Sequence, residues 1–182
     1  MKIETKRLII RNFNEFDLED YFKLNHDEEL TYYAGFKPHP DLKTSSHKLK
    51  SIMLVNDYFA VTLKDGTLIG DLNYYTDPLR RSSHAFQIGF LLSKEFQGQG
   101  YMQEALKAFI EYLYLSHEIE ILSCVTMIKN SKAQKTIENL GFQYDGIIRQ
   151  YKRIYNGELI DCKLYTLTNN EIERKLNLWQ KS

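Results

Sequence analysis

Residues 95–109, EFQGQGYMQEALKAF, set two glycines, Gly98 and Gly100, directly ahead of a helical apolar pattern. From Met102 the apolar residues are Met102, Ala105, Leu106, Phe109, Ile110 and Leu113, the stripe of a helix that lays one face on a sheet. The first turn of such a helix carries N–H groups without intrahelical acceptors, at the positive end of the helix dipole. A bare glycine backbone lets anionic oxygens reach several of those donors without meeting a Cβ, so the stretch suits a phosphate or pyrophosphate. It serves equally as a plain strand-to-helix turn. Neither better-known phosphate pattern is met: Gln103 stands at the last glycine position of G-x-G-x-x-G, and no Walker lysine follows.

Groups able to move a proton are spread along the chain. Asp71, in a strand-like run, and Glu95, beside the glycines, are carboxylates suited to it, and each also reads as a solvated or capping group. His84 reads as a surface residue. Tyr151, Tyr155 and Tyr165 read as strand aromatics that pack a core or wall a substrate. Cys124 and Cys162 sit in apolar runs without C-x-x-C spacing or a histidine nearby, which points to buried reduced thiols and to no metal site.

These residues need elements to hold them. Residues 7–11 form a short β-rich run, and NEFDLEDYFKL gives a first helix through Phe16, Leu18, Tyr21, Phe22 and Leu24. A loop with Pro38 and Pro40 leads to a second helix over residues 47–55. Strands are predicted at residues 58–63 and 67–75, joined by a tight turn at Asp65-Gly66, and at residues 85–92. The glycine-led helix, a strand over 121–127 and a helix stopped by Gly141 follow. A last hairpin, IIRQYKRIY and ELIDCKLYTL, turns at Asn156-Gly157. The fold class is therefore α+β, a mostly antiparallel sheet with one parallel step and helices on both faces. If the strands part at that step, a slot opens at their ends; Gly89 in the strand before it marks a bulge or a close approach.

A length of 182 residues, 43% hydrophobic, supports one domain over 1–182. Lysine plus arginine balances aspartate plus glutamate at 24 each, so charge argues for neither nucleic acid nor an anionic membrane as partner. The start, MKIETKRLIIRNF, lacks a signal-peptide core and no run is long enough to span a bilayer, which makes the expected location cytoplasmic.

Assembled, these pieces resemble the GNAT superfamily of acyl-CoA-dependent N-acetyltransferases. Its signature, Gln/Arg-x-x-Gly-x-Gly/Ala, is met by QGQGYM except at Met102. The longer stretches FQIGFLLSKEFQGQGYMQEALKAFIEYLY, NSKAQKTIENLGF and DGIIRQYKRIYNGELIDCKLYTL, with the opening IETKRLIIRNFNEFDLEDYFKL, are similar to its ribosomal-protein (Rim-type) branch over nearly the whole chain. The resemblance implies acetyl transfer from acetyl-CoA to a primary amine, on a protein N-terminus or a small molecule, with no metal. It places the CoA pyrophosphate on the main-chain N–H groups of Gln99, Gly100, Tyr101, Met102 and Gln103, with Gln97 shaping the loop and Gly98 in the same cofactor-binding stretch. It pairs the pantetheine arm with Phe90, Leu91 and Leu92, aims the Leu91 N–H at the thioester carbonyl, and sets Asn130 against the arm. Lys132 and Lys135 either meet the ribose phosphate or face water, Asp161 is structural, and a homodimer through the late strands rests on the resemblance alone.

Two positions depart from it. Gln87 stands where many relatives carry a glutamate to drain the amine's proton, and Ile137 where some carry a tyrosine acid. An amide cannot be a base but can orient a water. These departures motivate an alternative reading, a CoA-binding sensor or scaffold with little turnover. A nucleotide-binding α/β protein, resting on the glycines alone, is contradicted by the two hairpins. Tyr32, Tyr33, Phe36 and Tyr151 are expected to wall the acceptor pocket.

Overall fold

The apolar stripe of residues 102–113 is buried along its whole length, on helix α4 (Tyr101–Ser116). The computed structural model describes residues 1–180. The stripe packs on a sheet of strands β1 (Lys2–Glu4), β2 (Leu8–Asn12), β3 (Tyr58–Leu63), β4 (Leu68–Thr76), β5 (Ala85–Leu92), β6 (Ile121–Met127), β7 (Gln143–Arg153) and β8 (Leu159–Thr168), in the order β1-β2-β3-β4-β5-β6-β8-β7. Helices α5 (Ser131–Leu140) and α6 (Asn169–Trp179) join α4 on one face, closing the main core through Ile137, Leu140, Ile172 and Leu176. On the other face α1 (Leu18–His26) and α3 (Leu42–Ile52) bring Tyr21 and Leu49 against Ala60 and Leu68. The mixed sheet with helices on both faces is the one expected.

Every neighbouring strand pair is antiparallel except β5 and β6. Those two pair only over Ala85↔Ile121, Phe86↔Leu122 and Gln87↔Ser123. Beyond that rung each stays with its outer neighbour, β5 with β4 as far as Gly70↔Leu92 and β6 with β8 as far as Met127↔Cys162. The sheet therefore opens as a wedge, because the twist of each antiparallel ribbon carries its free edge away from the other.

Several elements differ from the sequence reading. A helix α2 (Glu28–Ala34) follows α1: Asp27 leaves helical geometry at ψ 114° and caps the new helix by accepting from Glu29 N and Leu30 N, both at 3.0 Å. Seven residues are too few to show a helical period. Helix α3 spans residues 42–52, not 47–55, because Asp41 caps it at Thr44 N (2.7 Å) and its first turns are polar. Strand β1 and helix α6 went unread as well. At the β3–β4 turn only Gly66 takes positive φ, 97°, while Asp65 accepts from Thr67 N (3.0 Å). No bulge breaks β5: its register with β4 is continuous, and Gly89 instead makes room for Asn73, whose Oδ1 lies 2.7 Å from where a Cβ would be. Of the two register shifts in β7, the one between Ile148 and Lys152 contains Gln150, φ 50°, whose N–H donates to Asp161 Oδ1 at 2.7 Å, a structural role as expected.

Candidate active site

The wedge has main-chain groups turned into it. Asp77 N–H donates to Ala85 O and Ser93 N–H to Ile69 O, each at 2.8 Å, at the two ends of the unbroken β4–β5 register. By the two-residue alternation of a strand, Gln87, Gly89 and Leu91 direct their main-chain groups to β4, whereas Ile88, Phe90 and Leu92 turn theirs toward the wedge. Side-chain contacts agree: Ser123 Oγ donates to Phe86 O (3.5 Å) and Gln97 Nε2 to Leu92 O (3.0 Å). The Leu91 N–H expected to face a ligand is thus committed to β4, since there is no bulge to rotate it; its neighbours Phe90 and Leu92 present the donors.

At the open end of the wedge stands the glycine loop. Gly98 and Gly100 both adopt left-handed φ, 76° and 79°, and Gly100, having no side chain, makes no side-chain cap to the first turn of α4. A Cβ on Gly98 would meet nothing within 4 Å, and one on Gly100 only Arg7 Nη2 at 3.5 Å. The backbone here is therefore open to an approaching group rather than packed, which is the condition an anion cradle needs. Arg7 fixes the loop from behind. Its guanidinium donates to Gln99 O (2.9 Å) and Glu104 Oε2 (2.6 Å), and its Cζ lies 4.2 Å from the Tyr101 ring centroid. Gln97 spans the mouth, accepting from Lys132 Nζ (2.9 Å) while its own amide holds Leu92 O.

Two cavities meet in the wedge. One of about 790 Å³ runs along β5 to the glycine loop and α5; the other, about 400 Å³, lies deeper; Tyr33, Phe90, Leu91, Asn130 and Ala133 line both. Helix α2 roofs them and is tied at each end. Lys94 Nζ bonds Asp27 Oδ1 (2.8 Å) and Glu29 Oε2 (2.9 Å), and Lys152 Nζ on the β7–β8 hairpin donates to Ala34 O (3.2 Å). Among the described residues, three buried side-chain atoms lack a hydrogen-bond partner: Asp71 Oδ2, Gln87 Oε1 and Thr126 Oγ1. All three residues line the deeper cavity. Leaving buried polar atoms unpaired costs about 1–3 kcal/mol each, so three of them lining one cavity is a concentration of polar groups that the packed chain does not itself satisfy.

The family model of the acetyltransferase (GNAT) domain matches residues 7–143. The chain belongs to the GNAT acetyltransferase family. Among known proteins, the [ribosomal protein uS5]-alanine N-acetyltransferase of Escherichia coli (strain K12) is 27% identical over 181 residues, covering 92% of this chain and 91% of that protein. Similar solved structures include the ribosomal-protein-S5-alanine acetyltransferase of Vibrio fischeri (TM-score 0.75, 23% identity, 94% of this chain and 98% of that one). Another is the spermidine N-acetyltransferase of Vibrio cholerae in complex with CoA and spermine (TM-score 0.77, 18% identity, 93% and 99%). The chain is accordingly an N-acetyltransferase of Rim-like type.

In this acetyltransferase the structure gathers most of the residues named from sequence. Phe90, Leu91, Leu92, Gln97, Gly98, Gly100, Tyr101, Met102, Gln103 and Asn130 line one or both cavities, and Gln87 lines the deeper. Gln99 does not: its side chain turns back to Glu95 O (2.9 Å) and its carbonyl to Arg7. The Met102 side chain is in the core, so only its main chain faces the loop. Asn130 Oδ1 caps α5 by accepting from Ala133 N (3.1 Å), and the residue lines both cavities. Lys132 and Lys135 line the larger cavity. Tyr33, Phe36 and Tyr151 wall the deeper one as expected, whereas Tyr32 turns outward to Glu158 Oε2 (3.2 Å).

Other candidates fall away from the wedge. Glu95 and His84 line neither cavity, Tyr155 stands outside, and Tyr165 is core with its hydroxyl on Glu138 (2.8 Å). Cys124 and Cys162 are free and buried, and burial pushes their thiols up to about 12 and about 11, which keeps them protonated. They are not cross-strand partners, since Cys124 faces Tyr165 and Cys162 faces Met127. Ile137 is fully buried. Sequence reasoning missed Asn73 and Arg7. The glycine at position 89 signalled the first, as the side-chain room it leaves is taken by Asn73; nothing local signalled the second. Asp71 gains most from the tertiary structure: it is 1% exposed, and burial raises its carboxyl from 3.8 to about 7, with the Tyr58 hydroxyl pulling the other way.

Proposed function

We propose that this N-acetyltransferase uses acetyl-CoA and transfers the acetyl group to a primary amine by direct attack. The observation that carries the reading is the wedge: an open glycine cradle at its mouth, free-edge donors of β5 along it, and unpaired buried polar atoms at its depth. The residues fit the coenzyme. Main-chain N–H groups of residues 98–103 would hold the pyrophosphate, Leu92 would pair with the pantetheine arm, and Asn130 Nδ2 would donate to it. The loop follows the C-terminal end of β5, so an arm entering from it passes Leu92 first and reaches Phe90 next. The Phe90 N–H is then the donor for the thioester oxygen, which gains negative charge as the amine attacks. Where such single donors have been removed in other enzymes the loss is about 10²–10³ in rate.

Bound acetyl-CoA supplies the activated acyl group; the protein's part is to align it with the amine and exclude water. The Rim-type likeness and the aromatic wall of Tyr33, Phe36 and Tyr151 suit an amine on a protein N-terminus or on a small molecule. Thiol release from acetyl-CoA, measured against a panel of such amines alongside calorimetric CoA binding, tests the reading. Binding without release from any amine would favour the sensor alternative that Gln87 and Ile137 motivated.

A further inference from the structure

We propose that Asp71 is the proton acceptor for the attacking amine and the anchor for its ammonium head, a role that rests on the acetyl-transfer reading above. Four observations support this. The carboxyl lines the deeper cavity, is fully enclosed, and keeps Oδ2 without a partner. It is the cross-strand partner of Leu91, next to Phe90, whose N–H faces the wedge. Gln87 lies three residues back from Phe90 along β5, on the order of 10 Å at strand rise, at the closed end of the wedge. Lastly, β5 has no side chain at Gly89, so the cavity passes over that strand and reaches β4, where Asn73 leans into the gap.

The chemistry follows from the groups around it. A buried carboxylate without a cation beside it is expensive, and an entering ammonium supplies the missing charge. Tyr58 on β3 lies against the carboxyl, Tyr21 faces it from α1, and Tyr75 and Asn73 share its strand; among the described residues the one lysine or arginine lining the cavity is Lys152 on the hairpin. Asp71 titrates near neutrality because burial favours its neutral form, so it can take up a proton and release it again at working pH. A proton moves from the ammonium nitrogen to Asp71 Oδ2, directly or through one water. The freed lone pair forms the N–C bond as the C–S bond breaks and its electron pair leaves on sulfur. The second proton of the nitrogen goes to that sulfur through water, and Asp71 returns its proton to solvent. The walls beyond the carboxyl are aromatic, Tyr33, Phe36, Tyr75 and Tyr151, which selects an ammonium carried on an apolar stem.

The test combines Asp71→Asn with Tyr58→Phe. With 2-phenylethylamine and alanyl-phenylalanine amide as probe acceptors, D71N should lower kcat/KM by about 10²–10³-fold and abolish the ascending limb of the pH profile near pH 7, with the calorimetric Kd for CoA unchanged. Y58F removes the group that holds the carboxyl's pKa down and should move that limb to higher pH. Wild-type kcat/KM and an intact limb in D71N would overturn the proposal. Should neither probe be acetylated by the wild type while CoA binds, the transfer reading fails separately. The Asp71 role falls with it in that case; where the probes are acetylated, carbon NMR of aspartate-labelled protein checks the group itself, a carboxyl titrating near pH 7 and missing from D71N supporting the role and one titrating near pH 4 ending it.

Discussion

Replacing Asp71 by asparagine should make the protein more stable at alkaline pH, and the size of the gain can be worked from burial. The carboxyl is 1% exposed and its pKa rises from 3.8 to about 7 in the folded chain. Between those two values the folded state holds more protons than the unfolded state, so stability falls as pH rises from about 4 to about 7 and stays low above that. A difference of about three pH units at 1.36 kcal/mol each puts the whole loss at about 4 kcal/mol. Roughly 1–2 kcal/mol of it has already gone by pH 5, leaving about 2–3 kcal/mol to be lost between pH 5 and pH 8.5. Asparagine keeps the shape and carries no charge at either pH. Urea unfolding of both proteins at pH 5 and pH 8.5 provides the measurement, with m-values compared to confirm that the unfolded reference is unchanged. The variant should gain about 2–3 kcal/mol on the wild type between the two conditions. Parallel pH dependence in the two proteins would refute the claim that this carboxyl is held in a low-dielectric pocket without a compensating cation. A gain in stability joined to a loss of turnover is what a group retained for function at the expense of the fold predicts.

Three further substitutions probe the rest of the site. Gly100→Asp places a carboxylate in the cradle, where a side chain meets only Arg7 Nη2 at 3.5 Å; calorimetry should show CoA affinity reduced at least about 100-fold, while the left-handed φ of 79° costs the fold only about 1–2 kcal/mol. Arg7→Ala releases Gln99 O, Glu104 Oε2 and the Tyr101 ring together, so CoA binding should weaken about tenfold and amide exchange in the loop should accelerate, with stability down by roughly 1–3 kcal/mol. Gly89→Ala brings a Cβ within 2.7 Å of Asn73 Oδ1 and should drive that side chain out of the cavity; turnover should fall, and adding Asn73→Ala should recover the thermal midpoint lost to the clash. Unchanged midpoints throughout would mean that Asn73 swings away at no cost.

Local pattern sufficed for much of this protein. The spacing of Met102, Ala105, Leu106, Phe109, Ile110 and Leu113 fixed the buried face of α4, because a 3.6-residue period leaves only one stripe able to meet a sheet. Gly98 and Gly100 flagged the loop ahead of it, since a residue type that tolerates left-handed φ is visible in the sequence itself. Two hairpins around a strand-helix-strand step were enough to demand one parallel pairing. What the residues do together was decided by the tertiary structure. Strand register is a property of two segments at once, so only the β4–β5 ladder could show that Leu91 points its N–H at β4 while Phe90 and Leu92 face the wedge. Arg7 reaches the loop from 92 residues away, and Asp71 becomes an unusual carboxyl only once β3, α1 and β5 have closed around it. Desolvation and long-range contact belong to the packed chain, and no stretch of sequence carries them alone.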